Sequence, residues 1–275
     1  MVQDFKEKIM LTKRIITAFI LAPLIIWAIF AMPNYYFEQL LLIFTALGAW
    51  EFSRLIKFRR LIARILLVFS IVICALIIQK NTQIIPFILY LSVLWWTINL
   101  YWVLSYPSKT NFWFDPLIVR IITGVLLLVP MWIALITLKQ QYGSEYFLLL
   151  MLITWGADSG AYFIGKAIGK WKLAPKLSSG KSIEGVIGGI VVALVVMMIF
   201  LQNQNIATNQ YLDYLLLTVV IANISVLGDL FESLFKRISN IKDSGQILPG
   251  HGGILDRIDS LTATAPFFLL GLSLI

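Results

Sequence analysis

The chain has 275 residues, of which 60% are hydrophobic and only 13% are charged. An average soluble domain is roughly 45–50% apolar and about 25% charged, so this composition excludes an ordinary soluble domain, a disordered chain and a disulfide scaffold. The single cysteine, Cys74, cannot form a disulfide within the chain, and a single histidine excludes metal sites built from several histidines. The net charge of +8 is therefore interpreted first as the excess of lysine and arginine that orients a membrane protein.

Nine apolar stretches follow one another along the chain, and each approaches the roughly 20 residues that cross the hydrocarbon core of a bilayer. They are residues 14–31, 36–56, 61–79, 84–105, 117–138, 145–166, 183–201, 211–236 and 260–275. A soluble fold can bury one such run but not nine. The first follows four basic residues as a signal peptide would, but no A-x-A motif ends it, so an uncleaved span is expected. The sequence predicts an all-α polytopic membrane protein with about nine transmembrane helices.

The distribution of lysine and arginine predicts the orientation. With the N-terminus in the cytoplasm and nine spans, every basic residue except Lys80 and Lys139 falls in a cytoplasmic segment. We therefore expect a cytoplasmic N-terminus, an outside C-terminus and a multi-pass protein of a plasma membrane.

The two halves of the chain differ in their polar content, within what we expect to be one integral membrane unit. Residues 1–150 have the pattern of hydrophobic scaffold helices, and a homodimer contact there is one expected role. Residues 151–275 hold eight of the fourteen acidic residues, so the chemistry is expected in this half. Small residues in it predict close helix packing: Gly156, Gly160, Gly165, Gly169, Gly185, Gly188 and Gly189.

Two acidic residues lie inside predicted spans, where a charge costs a few kcal/mol and marks a functional candidate. Asp158 lies eight residues before Lys166, and Asp229 lies seven before Lys236. At 1.5 Å per residue, both carboxylates are roughly 10–12 Å below the cytoplasmic helix ends. One polar cavity open to the cytoplasm accounts for both; the alternative is two unrelated contacts between helices.

Carboxylates recur at helical spacing in the last two spans. Glu232 and Ser233 follow Asp229 at i+3 and i+4 and share its helix face, and Asp256 is followed by Asp259 in the same way. Carboxylates on separate helices suit Mg²⁺, which takes oxygen ligands, waters and substrate phosphates. For the second pair, a role at the positive end of a helix dipole is the alternative.

Glycine-rich and basic segments on the predicted cytoplasmic side indicate a phosphate ligand. Residues 249–253 read Pro-Gly-His-Gly-Gly, whose amides can approach an anion, although a plain turn is the alternative. Residues 166–182 carry five lysines and no acid, which attraction to lipid headgroups also explains. Gly180-Lys181-Ser182 is similar to the end of a P-loop, but Pro175 stands where its first glycine belongs, which excludes a P-loop ATPase. A magnesium-dependent transfer of a phosphoryl or nucleotidyl group to a lipid is expected.

A longer pattern carries a family resemblance. From Ser233 to Asp259 the chain resembles the signature of phosphatidate cytidylyltransferases, the CDP-diacylglycerol synthases, with K-D-S-G at 242–245 and L-P-G-H-G-G-I-L-D-R-I-D at 248–259. D-S-G-A-Y-F-x-G at 158–165 also resembles this family. The family's Ser-Pro-x-Lys-Thr pattern is changed at 178–182, where Ser179 replaces proline and Ser182 replaces threonine.

The resemblance implies a reaction between CTP and phosphatidic acid that gives CDP-diacylglycerol and pyrophosphate. It implies a Mg²⁺ cofactor with room for a second cation, membrane lipids as surroundings, no nucleic-acid partner, and a bacterial inner membrane with the site facing the cytoplasm. Asp229, Asp256 and Asp259 would be the metal-binding and catalytic acids, with Lys236 beside them. The positions expected to bind substrate are Asp158, Lys181, Ser233, Arg237, Lys242, Asp243, His251, Gly252, Gly253 and Arg257.

Other functions stay open at this point. A CTP-dependent transferase could use another lipid phosphate, or a CTP-dependent kinase could use a polyprenol. A transporter would use Asp158 and Asp229 as ion-coupling carboxylates, without CTP turnover. A non-catalytic scaffold would tolerate neutral substitutions at Asp229 and Asp256.

Overall fold

Helices make up most of the protein, whose computed structural model describes residue 19 and residues 21–108, 110–247 and 252–275. The helices are α1 (Leu21–Ala31), α2 (Asn34–Leu55), α3 (Leu61–Lys80), α4 (Ile85–Ser105), α5 (Thr110–Phe114), α6 (Leu117–Tyr142), α7 (Ser144–Ile168), α8 (Ile183–Asn203), α9 (Tyr211–Ile238) and α10 (Leu255–Leu272). Two short strands, β1 (Lys172–Ala174) and β2 (Ser178–Ser182), lie between α7 and α8.

Each of the nine predicted stretches coincides with a helix, although the beginning of the first lies outside the described residues. Within the described part of the chain, six helices are long and apolar enough to cross a membrane, namely α3, α4, α6, α7, α8 and α9. Helix α10 begins with three charged residues in its first five, and α2 contains Glu38, Glu51 and Arg54. The all-α membrane class is confirmed, while nine as the number of spans stays a prediction.

Hydrogen bonds between connecting segments define one end of the bundle, which we call the basic end. There Arg120 Nη1 donates to the Ile56 carbonyl at 2.8 Å, and Arg237 Nε donates to the Leu177 carbonyl at 3.0 Å. At the opposite end Ser144 Oγ donates to the Ile29 carbonyl at 2.7 Å. Ser239 Oγ also donates to the Leu55 carbonyl, so the described segments that were predicted to be cytoplasmic lie at the same end. Residues 6–14, also predicted to be cytoplasmic, lie outside the described part of the chain. The basic end includes residues 56–60, 115–116, 169–182 and 239–247.

Helices α7 and α8 approach so closely that side chains are excluded between them. A Cβ added to Gly160 would lie 2.8 Å from the Gly188 carbonyl oxygen, and one added to Gly189 would lie 2.5 Å from the Ala157 carbonyl oxygen. These obstacles are backbone atoms, which cannot rotate away as a side chain can. The expectation that the small residues mark close packing is confirmed along this α7–α8 contact.

A larger residue in this contact is expected to destabilise the protein. Gly189→Val places three carbons against the backbone of α7, and overpacking of this kind costs about 1–3 kcal/mol. The melting temperature of the purified protein in detergent measures the effect. Gly180→Ala is the matched control, because nothing lies within 4 Å of a Cβ built there. Equal melting temperatures for the two variants would contradict the close approach of α7 and α8.

Helix α10 lies at the centre of the bundle, where it packs against α9, α6, α4, α7 and α2. The adjoining face of α9 that points away from the polar residues is packed with aromatic rings. Trp96 meets Phe231 edge-on with ring centroids 5.4 Å apart, and Trp102 stacks on Trp113 at 4.3 Å. These rings pack α4 against α5 and α9. Helix α4 also packs against α10, and α9 packs against α10 directly, so the acids on α9 and α10 lie on neighbouring helices.

The basic segment before α8 forms an antiparallel hairpin of β1 and β2, in which Lys172 pairs with Ser182 and Ala174 with Ser178. Its base is tied to α8, because Ser182 Oγ accepts from the Gly185 amide at 3.1 Å and Glu184 accepts from the Trp171 amide at 3.2 Å. The strands lack the apolar alternation that identifies a strand in sequence. The hairpin fixes the position of Lys181, two residues before the first residue of α8.

Candidate active site

Two acids from different helices meet around one lysine at the basic end. Lys181, carried by the hairpin, forms an ion pair with Asp229 of α9, with 2.7 Å between Nζ and Oδ2. Asp158 of α7 lies close enough to both charges to interact with them electrostatically. The sequence prediction that Asp158 and Asp229 belong to one polar site is thus supported by their common neighbour. Asp158 is exposed, so the site opens at this edge.

The first turns of α10 bring a third acid to the same place. Asp259 lies within electrostatic range of both Asp229 and Asp158, and its Oδ1 accepts from the Ser260 amide at 2.9 Å. Arg257, on the exposed side of α10, interacts with Asp158. Three carboxylates from α7, α9 and α10 therefore lie within electrostatic range of one another.

Lys236 joins a second set of acids one helical turn further along α9. Its Nζ lies 2.6 Å from Glu232 Oε2 and 2.9 Å from Asp256 Oδ1, with both carboxylates largely buried. Glu232 is also close enough to Asp259 to feel its charge, so the two sets are continuous. We call Asp158, Asp229, Glu232, Asp256 and Asp259 the acidic cluster.

Asp256 also fixes the connection between α9 and α10, which we call the α9–α10 loop (residues 239–254, described at 239–247 and 252–254). Its Oδ2 accepts from the Ser244 amide at 3.0 Å and from the Gly253 amide at 2.8 Å. Burial raises the pKa of Asp256, but hydrogen bonds with Glu232, Gly253 and Lys236 lower it. The lowering effects together exceed the effect of burial, so the pKa is below that of an ordinary aspartate. Gly252 has a φ of 84°, a left-handed conformation, and a Cβ there would lie 2.7 Å from Asp256 Oδ2.

The remaining predicted positions surround this cluster at different distances. Ser233 Oγ donates to Asp229 Oδ1 at 3.4 Å. Arg237 is exposed and holds the Leu177 carbonyl, which ties α9 to the hairpin. Lys242 and Asp243 are exposed on the α9–α10 loop. His251 lies outside the described residues.

One residue of the site was not among the predicted ones. Glu51, on α2, is buried beneath the α9–α10 loop, and its Oε2 accepts from the Leu255 amide at 2.7 Å and from Ser244 Oγ at 3.1 Å. It belongs to the half of the chain that was interpreted as scaffold. The available sequence signal was a carboxylate within an apolar stretch, the same signal that identified Asp158 and Asp229.

The expected convergence of Asp229, Asp256 and Asp259 on one metal ion differs from the arrangement observed. Among the described residues, no three acidic, histidine or cysteine side chains are grouped closely enough to hold a metal ion. The physical reason is that Lys236 and two backbone amides already occupy the oxygens of Asp256. Asp229 and Asp259 lie within electrostatic range of each other, and the acidic cluster has five acids against Lys181, Lys236 and Arg257. This formal excess of two negative charges fits a divalent cation with few protein ligands.

The sequence as a whole matches one protein family. The sequence model described as the cytidylyltransferase family matches residues 12–275. The chain belongs to the cytidylyltransferase family. This match extends to the N-terminal helices, whereas the motifs in the sequence carried the resemblance mainly over the C-terminal part.

Two curated relatives are similar to this chain over nearly their whole length, and a third over about half of it. A phosphatidate cytidylyltransferase of Pseudomonas aeruginosa is 39% identical over 260 residues, which are 94% of this chain and 96% of the relative. One of Haemophilus influenzae is 38% identical, over 94% of this chain and 97% of the relative. One of Bacillus subtilis is 49% identical over 135 residues, about half of each chain. The similarity to the first two therefore includes both the acidic cluster and the N-terminal helices.

Proposed function

We propose that this cytidylyltransferase uses CTP and phosphatidic acid to make CDP-diacylglycerol and pyrophosphate, an activity that its relatives' names support. Within the structure, the observation that carries the proposal is the meeting of α7, α9, α10 and the hairpin at one charged site. Acids and cations from four elements converge at the end of an apolar bundle, where a lipid phosphate and a nucleotide could meet. The proposal excludes a passive scaffold and gives a specific use to the charges.

The reaction joins an oxygen of the lipid phosphate to the α-phosphorus of CTP and breaks the bond to the β-phosphate, so pyrophosphate leaves with the bonding electrons. The attacking phosphate is already ionised at neutral pH, so little base catalysis is needed. The protein's main tasks are to align the two substrates and to neutralise their repulsion. Lys181, Lys236, Arg237 and Arg257 supply the positive charge. The backbone at Gly252, which carries no side chain, would approach the nucleotide closely, while the Gly253 amide holds Asp256.

The division of labour between the lysines follows from their anchors. Lys181 forms its ion pair with Asp229 at the partly exposed edge of the site. Its ammonium can leave this carboxylate and bind a phosphate with little motion. Lys236 is held deeper, between Glu232 and Asp256, and it keeps a fixed direction. Lys181 therefore binds the incoming phosphates. Lys236, next to Asp256, stabilises the negative charge that develops on the phosphates during the transfer.

Mg²⁺ is the cofactor that this proposal includes, with Asp229 and Asp259 as its carboxylate ligands and substrate phosphates and water completing its shell. The support is the proximity of these two acids and the formal negative excess of the acidic cluster. When bound, the ion would neutralise phosphate charge. Asp256, predicted as a third ligand, would instead direct Lys236 and the α9–α10 loop.

We further propose that the basic end faces the cytoplasm of a bacterial inner membrane, with the N-terminus inside, nine spans and the C-terminus outside. The support is that lysines and arginines collect at one end of the bundle. CTP reaches the site from the cytoplasm, and the lipid reaches it from the cytoplasmic leaflet. A homodimer through the N-terminal or small-residue helices stays a prediction.

Removal of divalent cations is expected to abolish the reaction. Purified protein in mixed micelles with CTP and phosphatidic acid should release pyrophosphate and form CDP-diacylglycerol with MgCl₂. An excess of EDTA should stop both, and added Mg²⁺ should restore them. Lipid extraction and phosphate analysis of the product measure the transfer directly.

The same assay separates the alternatives. Turnover with a polyprenol or another lipid phosphate, but none with phosphatidic acid, would show that phosphatidic acid is not the substrate. Undiminished turnover in EDTA would remove Mg²⁺ from the proposal while leaving the nucleotidyl transfer intact. Solute flux without CTP consumption would favour a transporter.

A further inference from the structure

Glu51 is a buried carboxylate with an unusual position for a scaffold residue. It has 1% of its surface exposed, lies in the last two turns of α2 and has its Oε1 buried without a hydrogen-bond partner in the described structure. Burial of an unpaired polar group costs free energy. An apolar side chain of similar size would fill this space at lower cost, so packing alone does not explain a carboxylate here.

The other oxygen of Glu51 joins the middle of the α9–α10 loop to the start of α10. Oε2 accepts from Ser244 Oγ within the loop and from the amide of Leu255, the first residue of α10. Gly245 and Gly253 lie directly against the carboxylate, and a Cβ on either would overlap it. Two glycines thus leave room for Glu51, which indicates a fitted contact rather than a chance one.

The neighbouring residues of α2 reinforce the same contact. Arg54 Nη1 donates to the Ser244 carbonyl at 3.3 Å, and Ser239 Oγ donates to the Leu55 carbonyl. The final turns of α2 therefore hold the α9–α10 loop at its beginning, its middle and its end. The amide of Ser244 in turn donates to Asp256, so Ser244 connects Glu51 to the acidic cluster by hydrogen bonds.

We propose that Glu51 is a positioning residue for the transfer reaction: it acts through the α9–α10 loop and sets where Gly252, Gly253 and the Lys236 that Asp256 holds meet the nucleotide. The inference deepens the proposed function and rests on it, since the loop is taken to bind CTP. It gives the N-terminal half a part in catalysis without contact with substrate. Small errors in placement are costly, because a displacement of about 1 Å can reduce a rate about 100-fold.

Substitution of Glu51 tests the proposal through the Michaelis constant for CTP. Glu51→Ala is expected to lower kcat/KM for CTP about 100-fold, with a clear rise in KM, whereas a smaller folded fraction would lower the apparent kcat alone. Glu51→Gln keeps an acceptor oxygen and should restore most of the activity, to within about fivefold, because neutral hydrogen bonds are roughly half as strong as charge-assisted ones. Glu38→Ala, at the opposite end of α2, is the matched control. Glu38 also accepts hydrogen bonds from other helices, from Gln79 at 2.9 Å and Gln140 at 2.6 Å, so the variant loses comparable contacts away from the loop and should keep the KM for CTP of the wild type.

A second measurement does not depend on activity. Lys242 is an exposed trypsin site in the α9–α10 loop, and cleavage after it should be faster in Glu51→Ala than in the wild type or Glu38→Ala. The double variant with Ser244→Ala should be little worse than Glu51→Ala alone, since both remove the same contact. Where Glu51→Ala does not accumulate as folded protein, Ser244→Ala replaces it, with a KM for CTP raised about two- to tenfold.

An unchanged KM for CTP together with unchanged cleavage at Lys242 would overturn the proposal. So would a Glu51→Gln variant as impaired as Glu51→Ala, because hydrogen bonding could then not be the cause. Failure of the proposed function looks different: the wild type itself would make no CDP-diacylglycerol, while the cleavage measurement would still report whether Glu51 holds the loop.

Discussion

Asp229→Asn is expected to lower the rate of CDP-diacylglycerol formation about 100- to 1,000-fold, as the loss of one preorganised electrostatic group does in other enzymes. The change keeps the shape of the side chain but removes the charge that faces Lys181 and Asp259. The fold should survive, because the ion pair with Lys181 is partly exposed and such pairs contribute at most about 1 kcal/mol. Turnover and the melting temperature, measured on the same preparation, check both parts.

Asp213→Asn is the matched control for this variant. Asp213 is an exposed aspartate in the first turn of the same helix, at the end away from the acidic cluster. Its substitution should leave both turnover and melting temperature near those of the wild type. Normal turnover in Asp229→Asn would remove this carboxylate from the proposed metal site.

Lys236→Met is expected to reduce both stability and turnover. Its ammonium separates Glu232 and Asp256, whose side chains are 5% and 7% exposed. Without the lysine, two buried carboxylates lose their common cation, and the loss of one partner from a buried pair costs about 3–5 kcal/mol. Chemical or thermal unfolding in detergent measures the stability, and the transfer assay measures the turnover.

A second substitution separates the structural and the chemical roles of Lys236. Glu232→Gln combined with Lys236→Met removes one of the stranded carboxylates and should recover part of the stability, while turnover stays low because the cation beside Asp256 is still missing. Lys166→Met, an exposed lysine on α7, is the control for a general charge effect. Recovery of turnover in the double variant would mean that Lys236 serves only to stabilise the fold.

The positions of the helices could be predicted from the sequence because an apolar run is a local property. The stretch 61–79 became Leu61–Lys80, and 211–236 became Tyr211–Ile238. Asp158 and Asp229 were also expected to belong to one site, since charges are costly inside an apolar helix, whereas Lys181 was expected there from the family resemblance. Their pairing was not predictable: whether Lys181 meets a carboxylate depends on the direction of the hairpin, which no local pattern indicates.

The contacts of Glu51 show the limit of local reasoning more clearly. Its partners Ser244 and Leu255 are 193 and 204 residues away along the chain, so only the packing of α2 against the end of α9 and the start of α10 brings them together. The same holds for Asp256, whose role at the start of a helix was recognised as an alternative, but whose hydrogen bonds with Lys236 and the loop amides depend on the tertiary structure.

The close contact of α7 and α8 restricts where the lipid tails can lie. Around Gly160 and Gly189 the two backbones leave no space for even one added carbon, so a hydrocarbon chain, several ångströms wide, cannot thread between these helices. Both tails of a diacyl substrate must then enter and leave past another side of the bundle. Two glycines, Gly160 and Gly189, thereby exclude one of the paths by which the product could diffuse into the bilayer.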